Sequence, residues 1–149
     1  MSIFPTTVLL ATDGSKDAEL ASTTALDLAN STSSELHIVL VEEPAYAYVD
    51  SSGYPYFPDV ELERELEQQA RMRLDAEVEK RRSAGSTVAE AHLRMGAAAA
   101  EIVDLAEDIR AGLIVMGSRG LGGIRRALMG SVSDSVVRHA HCTVLVVRQ

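Results

Sequence analysis

The chain has 149 residues, a length that fits one ordinary domain and leaves little room for a second. At 46% apolar and 24% charged it has the composition of a folded globular chain, and 14 Lys and Arg against 22 Asp and Glu give a formal net charge of −8. That acidic balance argues against a generic nucleic-acid clamp, and the apolar runs are too short to span a bilayer.

Residues 1–12 lack the basic start and long apolar stretch of a secretory signal, so the expected compartment is the cytoplasm. Within them Val8, Leu9, Leu10 and Ala11 form a strand-like run ending at Thr12-Asp13-Gly14-Ser15, a turn and helix-start signal. Ala18, Ala21, Ala25, Leu28 and Ala29 then recur at helical spacing. Leu36, His37, Ile38, Val39, Leu40 and Val41 predict a second strand. The loop at residues 43–58 gathers Tyr46, Tyr48, Tyr54, Tyr56 and Phe57 with Pro44, Pro55 and Pro58. A connection of this length is usually functional or mobile. A lid over a ligand, a surface for a protein partner and a disordered segment all remain open readings. Over residues 59–84, Leu62, Leu66, Ala70, Leu74 and Val78 make one narrow stripe, predicting a helix that covers the sheet with one face. Gly85-Ser86 stops it.

Residues 88–95 read as a third strand, although Ala89, Ala91, Leu93 and Met95 alternate less purely than an edge strand should. After Gly96, the positions Ala98, Ile102, Leu105, Ala106 and Ile109 mark an amphipathic helix. Leu113, Ile114, Val115 and Met116 predict a fourth strand that runs directly into Gly117-Ser118-Arg119-Gly120. Val132, Val136, Val137 and Ala140 give a fourth helix, and Val144, Leu145, Val146 and Val147 a fifth strand. The single cysteine, Cys142, excludes an intramolecular disulfide and a cysteine-based zinc cluster. His139 and His141 beside it suit a helix C-terminus, and His37 and His92 read as tolerated sheet residues. Continuously apolar strands separated by helix-length segments are what a parallel sheet covered on both faces requires. The expectation is one α/β domain over residues 1–149, built as an open doubly wound sheet.

In such a sheet, ligands bind outside the carboxyl ends of the strands. After the fourth strand come Gly117, Gly120, Gly122, Gly123 and Gly130, five of the ten glycines. A Walker A loop needs a lysine there, yet the only lysines are Lys16 and Lys80. The dinucleotide fingerprint is also missing after the first strand. What remains is a glycine-rich turn leading to Gly130-Ser131 at the start of a helix, a place where backbone N–H groups suit a phosphate. Asp13 and Ser131 each have a second reading as helix caps, the latter because Ser131-Val132-Ser133-Asp134 has capping-box spacing. Arg119 is the loop cation read as a partial ligand contact, with Arg125 and Arg126 read as solvated.

Gly117-x-x-Gly120, nine residues, then Gly130-Ser131 resembles the G-2x-G-9x-G-[ST] pattern of the ATP-binding branch of the universal stress protein family. The resemblance extends to Asp13-Gly14-Ser15, Gly96, residues 113–120 and residues 141–147, so it covers nearly the whole chain. It implies strand order 3-2-1-4-5 and an adenine nucleotide, ATP, with Mg or Mn held by its phosphates. Ala11 and Asp13 would approach ribose and adenine, and Val41 would offer the base backbone and apolar contact. Met116, Gly117, Ser118, Arg119 and Gly120 would line the ribose and phosphate side. Gly130, Ser131, Val132 and Ser133 would hold phosphates through N–H and hydroxyl groups. The chain departs from the family in carrying Ala97 and Ala98 where members often have proline. An edge strand of four apolar residues is normally covered; the resemblance implies a homodimer through Val144, Leu145, Val146 and Val147.

The expected role is a nucleotide-responsive dimer in stress response or signalling, without membrane or nucleic-acid partners. No P-loop lysine accompanies the loop, and Asp13 is the only acidic residue that the sequence places near the strand ends, so fast phosphoryl transfer is not expected. Two alternatives stay open. One is a slow ATP hydrolase or ATP-dependent enzyme with Asp13 as metal ligand. The other is a partner-binding module in which ATP is structural.

Overall fold

Five segments become parallel strands in a computed structural model that describes residues 1–43, 51–54, 60–118 and 130–148. They are β1 (Thr7–Ala11), β2 (Glu35–Glu42), β3 (Val88–Met95), β4 (Leu113–Gly117) and β5 (Thr143–Val147), hydrogen-bonded in the order β3-β2-β1-β4-β5. The helices are α1 (Lys16–Thr32), α2 (Val60–Ser83), α3 (Ala98–Asp108) and α4 (Ser131–His139). The doubly wound sheet and its strand order are therefore as expected. Most of the aromatic loop, at residues 44–50 and 55–59, lies outside the described residues.

Alternate residues of the central strands feed two separate cores, because a pleated strand points successive side chains to opposite faces. On one side Val8, Leu10, Leu36, Ile38, Leu40 and Val115 pack with Ala21, Ala25 and Ala29 of α1 and Ala70, Leu74 and Val78 of α2. On the other, Leu9, Val39, Ile114 and Met116 meet Ile102, Leu105 and Ala106 of α3 and Val136 of α4. The alanine face of α1 is what lets that helix lie close to the sheet. The stripe of α2 is shorter than its periodicity predicts. Ala70, Leu74, Val78 and Arg81 are buried, Leu66 is half-buried and Leu62 is exposed.

β3 is an edge strand despite its impure alternation. A register shift after Leu36/His37 sets Glu90, His92 and Arg94 opposite His37, Val39 and Val41, on the face that the short α3 covers. Ala91 and Leu93 point to the α2 core. Polar residues are thus tolerated where only part of the strand is covered.

One buried cation ties α2 to α1. The Arg81 guanidinium is 3% exposed and donates to both carboxylate oxygens of Glu19, at 2.9 and 3.0 Å. Lys80 donates to Glu19 at 2.7 Å. The hydrogen bonds from Lys80 and then Arg81 hold the Glu19 carboxyl below its ordinary range. A carboxyl depressed in the fold contributes stability above the unfolded-state value and loses it as pH falls through the folded value. Replacing Glu19 with Gln should therefore lower stability near neutrality, by about 1 kcal/mol or less because solvent screens the half-exposed carboxylate. It should also flatten the loss of stability below roughly pH 4. Urea unfolding of both proteins across that pH range measures both effects.

Candidate functional site

The chain runs from β1 outward to β2 and β3, then crosses back to β4 on the opposite side of β1. That reversal opens a crevice beyond the carboxyl ends of β1 and β4, the place where open α/β sheets bind ligands. A pocket of about 580 Å³ occupies it. Ala11, Asp13, Val41, Met116, Gly117, Ser118, Gly130, Ser131, Val132 and Ser133 all line this pocket. Arg119 and Gly120, with Arg125 and Arg126, lie outside the described residues.

The start of α4 supplies donors. Gly130 is its N-cap, in ordinary extended backbone (φ −75°, ψ 168°), and brings no side-chain cap. The first intrahelical bond is from the Asp134 N–H to the Gly130 carbonyl at 2.9 Å. The N–H groups of Ser131, Val132 and Ser133 therefore precede the helical ladder, as the first turn of any α-helix leaves them. The second reading of Ser131, as a helix cap, does not hold: Ser131 is the first helical residue, and Gly130 takes the N-cap position with no side-chain cap. Ser133 is corrected as well. Its side chain is 2% exposed, and the hydroxyl donates to the carbonyls of Ser118 at 2.8 Å and Gly130 at 3.1 Å. The hydroxyl holds the ends of the glycine-rich segment together and leaves only the Ser133 N–H for a ligand.

At the start of α1 the cap is Ser15, whose hydroxyl accepts from the Ala18 N–H at 3.2 Å. Asp13 sits ahead of it and accepts the Ser15 N–H on Oδ1 at 2.9 Å. Because a neighbour caps the helix, the exposed Asp13 carboxylate is not used as its cap, and Asp13 lines the pocket. A third helix start, at α3, also lacks a side-chain cap, and its Ala98 and Ile102 line the same pocket.

Several lining residues escaped the sequence reading: Thr12, Ser15, Ala18, Val39, Glu42, Glu43, Arg73, Ala98 and Ile102. Val39 shares the face of Val41 two residues on, and Ile102 follows Ala98 by one helical turn, so periodicity could have found both. Arg73 carried no signal, since it lies on the solvated helix α2 and reaches Glu42 only through the fold. Glu42 and Glu43 also correct the view that Asp13 is the sole acidic residue at the strand ends. Elsewhere, the exposed His141 pairs with Glu107 at 2.9 Å, and burial pushes the half-buried Cys142 thiol up.

A family model for universal stress proteins matches residues 5–148. The chain belongs to the universal stress protein family. A putative universal stress protein of Staphylococcus aureus is 36% identical over 144 residues, spanning 95% of this chain and 82% of that one. Among solved structures, hypothetical protein MJ0577 is similar at a TM-score of 0.81 with 25% identity, covering 99% of this chain and 98% of its own. A universal stress protein in complex with cAMP has a TM-score of 0.69 and 27% identity, covering 97% and 98% of the two chains.

The seam made by Ser133 carries a stability prediction. Ser133→Ala should lower stability by about 0.5–1.5 kcal/mol, because the carbonyls of Ser118 and Gly130 each lose one donor and keep a backbone N–H. Urea unfolding gives the magnitude, and amide exchange should rise first in the opening turn of α4.

Proposed function

We propose that this universal stress protein binds an adenine nucleotide, ATP foremost, and acts as a nucleotide-responsive dimer in stress signalling. The observation that carries the reading is the uncapped first turn of α4 facing a pocket with apolar walls. In this reading the N–H groups of Ser131, Val132 and Ser133, at the positive end of the helix, receive the phosphates. Val39, Val41, Met116 and Ala11 offer the base an apolar surface, and Asp13 accepts from a ribose hydroxyl. Gly117 lets backbone approach the sugar, with Ser118, Arg119 and Gly120 continuing along the phosphate side. The related protein that binds cAMP supports the adenine nucleotide as ligand class.

Among the described residues, three carboxylates, Asp13, Glu42 and Glu43, line the pocket with one guanidinium, that of Arg73. A bare triphosphate would meet repulsion there. The site therefore suits ATP carrying Mg or Mn on its own phosphates, which halves the charge brought in. No lysine side chain lines the pocket among the described residues, which favours retention of nucleotide over rapid phosphoryl transfer. The dimer rests on β5, which pairs with β4 along one edge and leaves Val144, Leu145, Val146 and Val147 half-buried. A second copy of β5 related by a two-fold axis would cover that edge.

Calorimetric titration with ATP and Mg tests the site. The native chain should bind one nucleotide, and Gly130→Val should weaken binding by about tenfold or more. The extended backbone at Gly130 accepts valine, so circular dichroism should stay native. Unchanged affinity in that variant would remove the phosphate role from the start of α4. Light scattering should return a mass of twice 16.0 kDa, and a monomer mass at micromolar concentration would refute the dimer.

A further inference from the structure

We propose that His37, His92 and Glu90 form a binding site for a divalent transition-metal ion of the zinc type, on the α3-side face of the β2–β3 edge. Parallel pairing sets Glu90 opposite His37 and His92 opposite Val39, so residues far apart in sequence share one face. His37 is 8% exposed and follows the core residue Leu36, where an imidazole buries little apolar area in return for its polar atoms. Its Nδ1 lies 3.1 Å from Nε2 of His92, the two rings being near-parallel (12°) with centroids 5.4 Å apart, so that they meet nitrogen to nitrogen.

Zinc–nitrogen bonds of about 2.0–2.1 Å at a tetrahedral angle separate two ligand nitrogens by roughly 3.3–3.4 Å. A shared proton and a shared metal thus demand nearly the same nitrogen–nitrogen spacing. The Glu90 carboxylate comes within 3.9 Å of His92 Nε2, and one ligand atom from each of the three residues lies within 4.8 Å of the others. Because the Glu90 side chain is 63% exposed, it can close onto an ion without disturbing the core.

The surroundings are those of a ligating histidine. Glu35 places a carboxylate oxygen 3.7 Å from His37 Nε2, on the ring edge away from the site. A carboxylate there favours the tautomer with hydrogen on Nε2 and leaves the Nδ1 lone pair for a metal. Two imidazoles and one carboxylate select a borderline ion such as zinc over calcium or magnesium, which take oxygen donors. Three protein ligands leave a fourth position for water. None of the three residues lines the pocket at the strand ends, so this site and the nucleotide reading stand independently.

The test is equilibrium dialysis of the full chain, stripped with chelator, against Zn2+, with Co2+ absorption reporting geometry. One ion per chain should bind at micromolar free metal, and Co2+ should show tetrahedral absorption. Glu90→Gln should weaken binding by about tenfold and His92→Ala by about a hundredfold or more. The double variant His139→Ala with His141→Ala removes exposed histidines elsewhere and should bind as the native chain does. Should His92→Ala fail to fold, Glu90→Gln decides, because its side chain is exposed. No stoichiometric binding, or binding lost only in the His139/His141 variant, would overturn the site and leave the pair as a plain hydrogen bond.

Discussion

The carbonyl of Ser118 is where the architecture of the pocket is fastened. It accepts the N–H of Gly130 and, at 2.8 Å, the hydroxyl of Ser133, while the Ser118 N–H donates to the Val147 carbonyl at 2.9 Å. One residue, through the two peptide units that flank it, thus joins the end of β4, the end of β5 and the start of α4. Ser118 and Gly130 are brought together by a defined set of hydrogen bonds, which offset the entropy of closing the chain between them. This fastening places the opening turn of α4 at the crevice beside β1.

The rest of the site follows from that placement. Val136, fully buried one turn along α4, seats the helix on the α3 side of the sheet. Helix starts at α1, α3 and α4 then converge on the strand ends, each contributing partial positive charge. The acidic side chains Asp13, Glu42 and Glu43 oppose them, with Glu42 paired to Arg73. Such a balance favours a ligand that is anionic at one end and carries a cation or hydroxyl donors at the other. The same sheet carries the histidine pair on its polar β2–β3 edge, and neither histidine lines this pocket.

Much of this was legible in the sequence because β1, β2 and β4 are short apolar runs that end in turn residues. Their order across the sheet was not; it came from family resemblance, since periodicity says nothing about which strands pair. Local capping was legible only in kind. Asp13-Gly14-Ser15 announced a helix start, but Ser15 rather than Asp13 binds the N–H of Ala18. At α4 the glycine before Ser131 takes the N-cap position, and capping-box spacing misled because Ser133 turns inward to carbonyls. Long-range pairings left no trace. His37 and His92 are 55 residues apart, and Arg73 is 31 residues from Glu42, so only the folded register joins them.

The central claim is that an anionic ligand is held by main-chain N–H groups at the start of α4. Amide NMR of the isotopically labelled chain, titrated with ATP and Mg, addresses it residue by residue. The largest shifts should fall on the amides of Ser131, Val132 and Ser133, with smaller ones at Ala11, Asp13 and Val41. Shifts confined to α2 or to the β3 edge, or none at saturating nucleotide, would contradict the account.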